Sequence, residues 1–349
     1  MHNLGDNVVN FGVIGYGYWG PNVVRNLMSI EGSQVLAVAE KSPAAQKRAQ
    51  KAYPGIRVIS DASEVISSSE IDAVAVVTPV WTHYALTKAA LENGKHVFVE
   101  KPFTFKAEEA ETLINLAEQK NLKIMVDHTF LFTGAVKKIR HLIDDGALGN
   151  LYYYDSTRVN LGLFQHDVNV IWDLAPHDLS IMDYVIQDRP LGVVATAEKH
   201  LNGLEDIAFL TFYFPNNIIA HVNVNWLSPV KVRTTLIGGE KKMLVWNDLE
   251  VDEKIRVYDK GVEKTTSREG VYETLVKYRT GDMWAPQLEN TEALKRELEY
   301  FVDCITNDHT PINDGKAGWR VVRMLEAANQ SIKNRGAMVE LHREEFVAA

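Results

Sequence analysis

Three groups of residues have types and spacings that suit removal of a hydride and a proton from an alcohol. They are Gly15-Tyr16-Gly17-Tyr18-Trp19-Gly20 after an apolar run, Glu100-Lys101-Pro102 after Gly94-Lys95-His96-Val97-Phe98-Val99, and Trp172-Asp173-Leu174-Ala175-Pro176-His177-Asp178. In the first, Gly15 permits a tight turn, Gly17 lets a phosphate approach the backbone, and Gly20 lets helix and strand pack closely. The helix start that follows would offer unpaired N–H groups to a dinucleotide pyrophosphate, and Pro21 suits its first turn. A secondary alcohol loses hydride only as its hydroxyl proton leaves, so a base or polarising donor must reach that oxygen. Lys101 meets the need as a cation or, if burial depresses its pKa, as a neutral base, with Glu100 to hold it in place. Asp173 and His177 are four apart and share a helix face, so the carboxylate can orient or charge the imidazole. Pro176 sets the helix start close by, since a proline well inside a helix loses a backbone bond and clashes. Each group also has a plain structural reading: a glycine turn, a surface Glu-Lys pair before a proline, and a capping Asp with a satisfied helix His.

Other residues extend the first group. Glu40 ends the second apolar run about twenty residues beyond the last glycine, where a carboxylate would hold the adenosine ribose diol and repel a 2′-phosphate. NAD is therefore favoured over NADP, and Lys41, next in the chain, softens that preference. Thr78-Pro79 ends a strand expected beside the cofactor, and His83 touches cofactor or caps the helix after it. Trp19, inside the turn, is expected over the cofactor. The cofactor-binding candidates are thus Gly15, Tyr16, Gly17, Tyr18, Trp19, Gly20, Glu40, Lys41, Thr78, Pro79, His83, Glu100 and Lys101. Upstream of Asp173 lies the polar loop Arg158 to Asn169, in which Arg158 would clamp an anion and Asn160 would contact substrate. His166 and Asp167 lack a clear third ligand, so no metal is expected. Trp284-Ala285-Pro286 and Asn313-Asp314-Gly315 read as loop punctuation of a second domain, and Trp284 either stacks on a sugar or packs.

The elements that must position these groups fall into two patterns. From Val8 to Val126 short apolar runs alternate with helix-like stretches, the pattern of a parallel sheet with crossover helices. Strands are expected at Val8–Ile14, Gln34–Ala39, Val58–Ile59, Ala73–Val77, His96–Val99 and Lys123–Val126, with helices at Pro21–Met28, His83–Asn93 and Lys106–Gln119. After Phe130 come longer alternating segments: Leu151–Arg158, Gly192–Glu198, Asp206–Phe214, Ile218–Asn225, Val232–Ile237, Met243–Trp246 and Lys254–Val257. Pro215-Asn216-Asn217 reads as a hairpin turn, and helices are expected at Thr133–Asp144, Ile171–Ile186, Thr291–Thr306 and Lys316–Asn334. The fold class is an α/β N-terminal Rossmann domain with a doubly wound parallel sheet, residues 1–128. An α+β C-terminal domain with a large, mostly antiparallel open sheet follows, residues 129–349.

Composition narrows the setting. At 349 residues the chain fits two domains, and 46% hydrophobic with 24% charged residues is ordinary for a soluble globular protein. The net charge of −9 advertises no basic surface for nucleic acid. Cys304 is the only cysteine, so an intramolecular disulfide and a Cys-rich metal site are excluded. Met1 to Asn7 lacks a signal peptide's basic start, and no apolar run reaches eighteen residues, so a cytoplasmic location is expected with no membrane partner.

On these residues the chain resembles the Gfo/Idh/MocA oxidoreductases. The match runs through Gly15 to Gly20, Thr78-Pro79 with His83, Gly94-Lys95-His96-Val97 into Glu100-Lys101-Pro102, Asp173 with His177, and Gly315 to Ser331. The resemblance implies that Lys101, Asp173 and His177 are catalytic, and that the second domain's open sheet mediates a homodimer or homotetramer. Asn160 to Asn169 with Asp173 to Leu179 is similar to members of nucleotide-activated amino-sugar pathways. That implies NAD-linked oxidation of a ring hydroxyl, C3 favoured, on a nucleotide-linked hexose or N-acetylhexosamine. A free polyol or inositol dehydrogenase, an NAD-dependent glycosidase and a non-catalytic dinucleotide sensor are the alternatives. Asp127-His128 departs from the family pattern of Asn or Gly followed by Arg-Phe, which leaves one expected contact unassigned.

Overall fold

The computed structural model describes residues 8–162, 164–265 and 275–341; Leu163 of the expected polar loop and the residues before Val8 lie outside them. The chain opens β1 (Val9–Ile14), α1 (Gly20–Leu27), β2 (Ser33–Ala39), α2 (Pro43–Ala52), β3 (Arg57–Ile59), α3 (Ala62–Ile66) and β4 (Ala73–Val76). It continues α4 (His83–Glu92), β5 (His96–Val99), α5 (Ala107–Gln119) and β6 (Ile124–Val126). The six strands form one sheet in the order β3-β2-β1-β4-β5-β6, every pair parallel. Their middle is continuous Val, Ala, Ile and Phe, as strands covered on both faces require, and β4 is buried at every position. Strand order reverses between β1 and β4, which opens a crevice at the carboxyl ends of those strands.

Next come α6 (Gly134–Asp144), β7 (Leu151–Leu161), α7 (Val170–Val185), β8 (Gly192–Glu198), β9 (Ile207–Tyr213), β10 (Ile219–Asn225) and β11 (Leu227–Gly239). They are followed by β12 (Met243–Asn247), β13 (Ile255–Thr265), β14 (Leu275–Trp284), α8 (Ala293–Thr306), α9 (Gly315–Lys333) and β15 (Val339–Glu340). The nine strands pair as β14-β13-β12-β11-β7-β10-β9-β8-β15, with β7 and β10 parallel and the other pairs antiparallel. Asn216 and Asn217 both sit at positive φ in the expected turn between β9 and β10, a conformation Asn tolerates well. Helix α7 lies on the inner face of this sheet. Tyr154, Ser156 and Arg158, alternate residues of β7, all reach Asp178 of α7, and the Arg158–Asp178 ion pair is 2.6 Å long and buried.

Compact units in this chain are assembled from separated stretches of sequence. One compact unit comprises the chain up to Phe132 together with Thr291–Arg323; the other comprises Thr133–Asn290 and the stretch from Met324. Leu294, Leu298, Phe301 and Val302 of α8 belong to the same buried cluster as Phe11, Val13, Val23 and Phe98. Phe301 packs against Phe11 and Phe98 with ring centroids 6.2 and 6.1 Å away. Arg25 of α1 makes a forked pair with Glu292 just ahead of α8. Asn313 and Asp314, read as punctuation of the second domain, also fall in the first unit, where Asp314 bridges to Met125 and accepts from Ala317 N–H at the start of α9.

Candidate active site

The first unit gathers its candidates at the carboxyl ends of β1, β2, β4 and β5. Gly15 leaves β1 with φ +101°, and a Cβ there would come within 2.2 Å of the Val77 carbonyl, so only glycine fits. A Cβ at Gly17 would meet no atom within 4 Å, so the space above it is open, as a phosphate approaching the backbone needs. Pro21 sits in the first turn of α1, whose N-cap is Trp19. Glu40 follows β2 and faces the turn. Its Oε2 accepts the Tyr16 N–H at 2.6 Å and its Oε1 the Ser42 N–H at 2.7 Å, which fixes the carboxylate and leaves each oxygen a lone pair for a diol. These features fit a dinucleotide with a free 2′-hydroxyl. Lys41 and Tyr18 are exposed, whereas the Tyr16 ring is buried.

At β4 and β5 the geometry ties two loops together. His83 is fully buried; its Nδ1 lies 2.8 Å from the Pro102 carbonyl and its Nε2 2.7 Å from the Thr78 carbonyl. Burial pushes its pKa down, and a neutral ring donates to only one of these oxygens at a time. The ring therefore braces Thr78-Pro79 against the segment that carries Lys101, and neither reading from sequence, cofactor contact or cap, describes it. Lys101 is half-buried, and Glu100 Oε2 accepts its backbone N–H at 3.1 Å. Glu100 is held well above the usual carboxylate range, first by burial and then by the adjacent Asp127. Trp19, expected over the cofactor, donates its indole N–H to Asp127 Oδ2 at 3.1 Å.

The second unit positions Asp173 and His177 on α7. Asn169 caps this helix, its side-chain oxygen accepting the Trp172 N–H at 3.2 Å while its amide donates to Glu205. The helix thus begins at Val170, one residue before the expected Ile171, and Pro176 lies inside its second turn. Asp173 and His177 are both half-buried and share one face. Trp226, at the end of β10 and unanticipated from sequence, donates its indole N–H to Asp173 Oδ2 at 3.1 Å. The Trp226 ring and the Asn160 side chain both close on Gly162, which places Asn160 beside this pair. Arg158 is corrected: 5% exposed, with Nε and Nη2 bonded to Asp178, it is an internal strut under α7 rather than an open anion clamp. His166 and Asp167 are exposed, and among the described residues no group of three or more His, Cys, Asp or Glu is placed to hold a metal. Trp284 packs under Lys242 Nζ, 5.6 Å from its ring centre. No helix among the described residues is long and apolar enough to cross a membrane.

The profile of an oxidoreductase family with an NAD-binding Rossmann fold, Gfo/Idh/MocA, matches residues 9–128, and that of the Gfo/Idh/MocA C-terminal domain matches residues 136–245. UDP-N-acetylglucosamine 3-dehydrogenase of Acidithiobacillus ferrooxidans is 27% identical over 319 residues, covering 89% of this chain and 93% of that enzyme. The scyllo-inositol 2-dehydrogenase (NAD(+)) of Bacillus subtilis is 24% identical over 322 residues, covering 88% and 89%. The solved structure of the Acidithiobacillus enzyme shares the fold with a TM-score of 0.78, at 24% identity over 93% of this chain and 97% of that one. An Agrobacterium radiobacter oxidoreductase in complex with NAD+, L-tartaric acid and magnesium does so with a TM-score of 0.80, at 17% identity over 95% and 98%. Glycine turn, parallel sheet and both profile matches agree: the chain belongs to the Gfo/Idh/MocA family of NAD-binding oxidoreductases.

Proposed function

We propose that the protein is an NAD-dependent dehydrogenase that oxidises, reversibly, the C3 hydroxyl of a nucleotide-linked hexose or N-acetylhexosamine. The observation that carries this reading is the similarity to UDP-N-acetylglucosamine 3-dehydrogenase along 89% of the chain. When bound, NAD supplies the hydride acceptor. Lys101 holds the substrate oxygen and stabilises charge developing on it. His177 exchanges the hydroxyl proton, and Asp173, itself held by Trp226, orients the imidazole. Asn160 contributes a substrate contact. Glu40, its carboxylate fixed by two N–H donors, favours NAD over NADP by repelling a 2′-phosphate.

Similarity to inositol 2-dehydrogenase of Rhizobium meliloti, 24% identical over 94% of this chain, supports a second reading in which the substrate is a free polyol. Initial rates with NAD on UDP-N-acetylglucosamine, UDP-glucose, N-acetylglucosamine and myo-inositol separate the two. The first reading expects kcat/KM at least about a hundredfold higher on the UDP-sugars, and preference for myo-inositol overturns it. The outer face of the nine-stranded sheet exposes Phe209, Tyr213 and Ile219, which supports a homodimer or homotetramer through that face, to be checked by light scattering. One buried free cysteine suits a cytoplasmic setting.

A further inference from the structure

Asp127 stands at the end of β6, beside Glu100 at the end of β5, and Glu297 of α8 reaches the same point. The strand register sets Val99 opposite Val126, so the next residues of the two strands, Glu100 and Asp127, are neighbours. Asp127 is 2% exposed and Glu297 is 0% exposed; Glu100 is half-buried, but its Oε1 is sealed from solvent. The donors here are unequally shared. Asp127 Oδ1 accepts both the backbone N–H and the hydroxyl of Thr129, and its Oδ2 accepts the Trp19 indole N–H. Glu100 Oε1 and Glu297 Oε2 have no donor, although both carboxyls lie within hydrogen-bonding reach of Asp127. Glu297 Oε1 accepts from Asn313, whose amide also donates to the Val126 carbonyl.

Two carboxyl groups in contact can bond only if one carries a proton, because an ionised carboxylate accepts and never donates. Three ionised carboxylates in one enclosed space would repel each other with little solvent screening. The group whose oxygens already collect N–H and O–H donors is the one best kept ionised, and that group is Asp127. Lys101 stands beside Glu100, the buried His128 follows Asp127 in the chain, and the three carboxyls face one another. Burial and Asp127 both push Glu100 and Glu297 upward, in the same direction as the hydrogen-bond inventory.

We propose that Asp127 is a positioning residue for the cofactor turn: a single ionised carboxylate that binds the Trp19 indole and stands against two neutral acids, Glu100 and Glu297. The glycine turn, the ends of β5 and β6, and α8 are thereby joined in one hydrogen-bonded unit. Glu100 is then a neutral neighbour of Lys101 rather than its counter-ion, and the one net negative charge sits on Asp127. This gives Asp127, where the sequence departs from the family pattern, a defined task. The inference rests on reading the glycine turn as the dinucleotide site.

Infrared spectra of the intact protein at pH 8 test the proton inventory. Carboxylic-acid C=O bands are expected, with one band lost in Glu100→Gln and another in Glu297→Gln; absence of such bands from the parent protein overturns the proposal. The isotope-labelled indole N–H resonance lost in Trp19→Phe identifies Trp19, and in Asp127→Asn it should shift; an unmoved resonance overturns the clamp. Both Asp127→Asn and Trp19→Phe should raise the NAD dissociation constant about tenfold, the size expected for losing a hydrogen bond to a charged group. Unchanged affinity in both overturns the positioning role. The infrared and resonance readings need neither cofactor nor turnover, so a failure of the dehydrogenase reading would show separately, as a parent protein that binds no NAD.

Discussion

At the scale of single residues, the same side-chain chemistry recurs with different duties. Lys101 and Lys95 both belong to the segment around β5, yet Lys95 Nζ is bound by the carbonyls of Ser68 and Ile71 and serves to anchor the strand start. Lys101 is the lysine proposed to meet substrate. Lys101→Met should lower kcat by about a thousandfold and leave NAD affinity within about threefold, measured by initial rates and fluorescence titration. A large loss of affinity instead would mean that its work is cofactor binding. Glu40→Ser should weaken NAD more than NADP, read from the two dissociation constants, because a fixed acceptor for the ribose diol and the repulsion of a 2′-phosphate vanish together. Most of these residues were legible from sequence because their signals are local: a glycine spacing, a Glu-Lys-Pro triplet, an i,i+4 pair. Trp226 and Glu297 were not, since each acts on a partner far along the chain, 53 residues away for Trp226 and Asp173.

Elements were legible where hydrophobic pattern was strong. Strands β4 and β5 stand out as buried apolar runs, and α4 ends at the glycine that closes it. Helix α2 was missed because only Ala45 and Ala49 are buried, so its sequence carries almost no apolar stripe; Ser42 capping its first turn was the available signal. Helix α7 starts within one residue of the expected Ile171, fixed there by the Asn169 cap, and it carries Pro176 inside it at the loss of one backbone bond. The Arg158–Asp178 pair holds α7 on β7, so Arg158→Ala should destabilise the protein by about 3–5 kcal/mol in denaturant titration, a buried charge being left without its partner. At the other end of the scale, the Arg25 and Asn26 side chains hold the Glu292 carboxyl down at about 2, below its ordinary value of 4.5. A depressed acid contributes stability that is present above its unfolded value and lost as pH falls toward its folded one. The melting temperature of Glu292→Gln should therefore lie below that of the parent at neutral pH, and the gap should close between pH 4.5 and about 2. A gap that persists at low pH would contradict that role.

At the scale of the whole molecule, each compact unit draws, among the described residues, on two separate stretches of chain. The change of texture after Phe130, from alternating strand and helix to long strands, was visible in the sequence and corresponds to the passage from parallel to mostly antiparallel pairing. The return of α8 to the first unit was not, because an amphipathic helix shows that it has a buried face without showing which sheet receives it. The family follows from profiles that match both units, whereas the substrate rests on resemblance and remains the proposal that chemistry must decide. The most direct measurement is isotopic: UDP-N-acetylglucosamine carrying deuterium on C3, incubated with NAD and the enzyme, with the cofactor then recovered and analysed by mass spectrometry. Deuterium in NADH, formed by the parent protein and not by Lys101→Met, is the predicted result. Unlabelled NADH, or no NADH from this sugar, would contradict oxidation at C3.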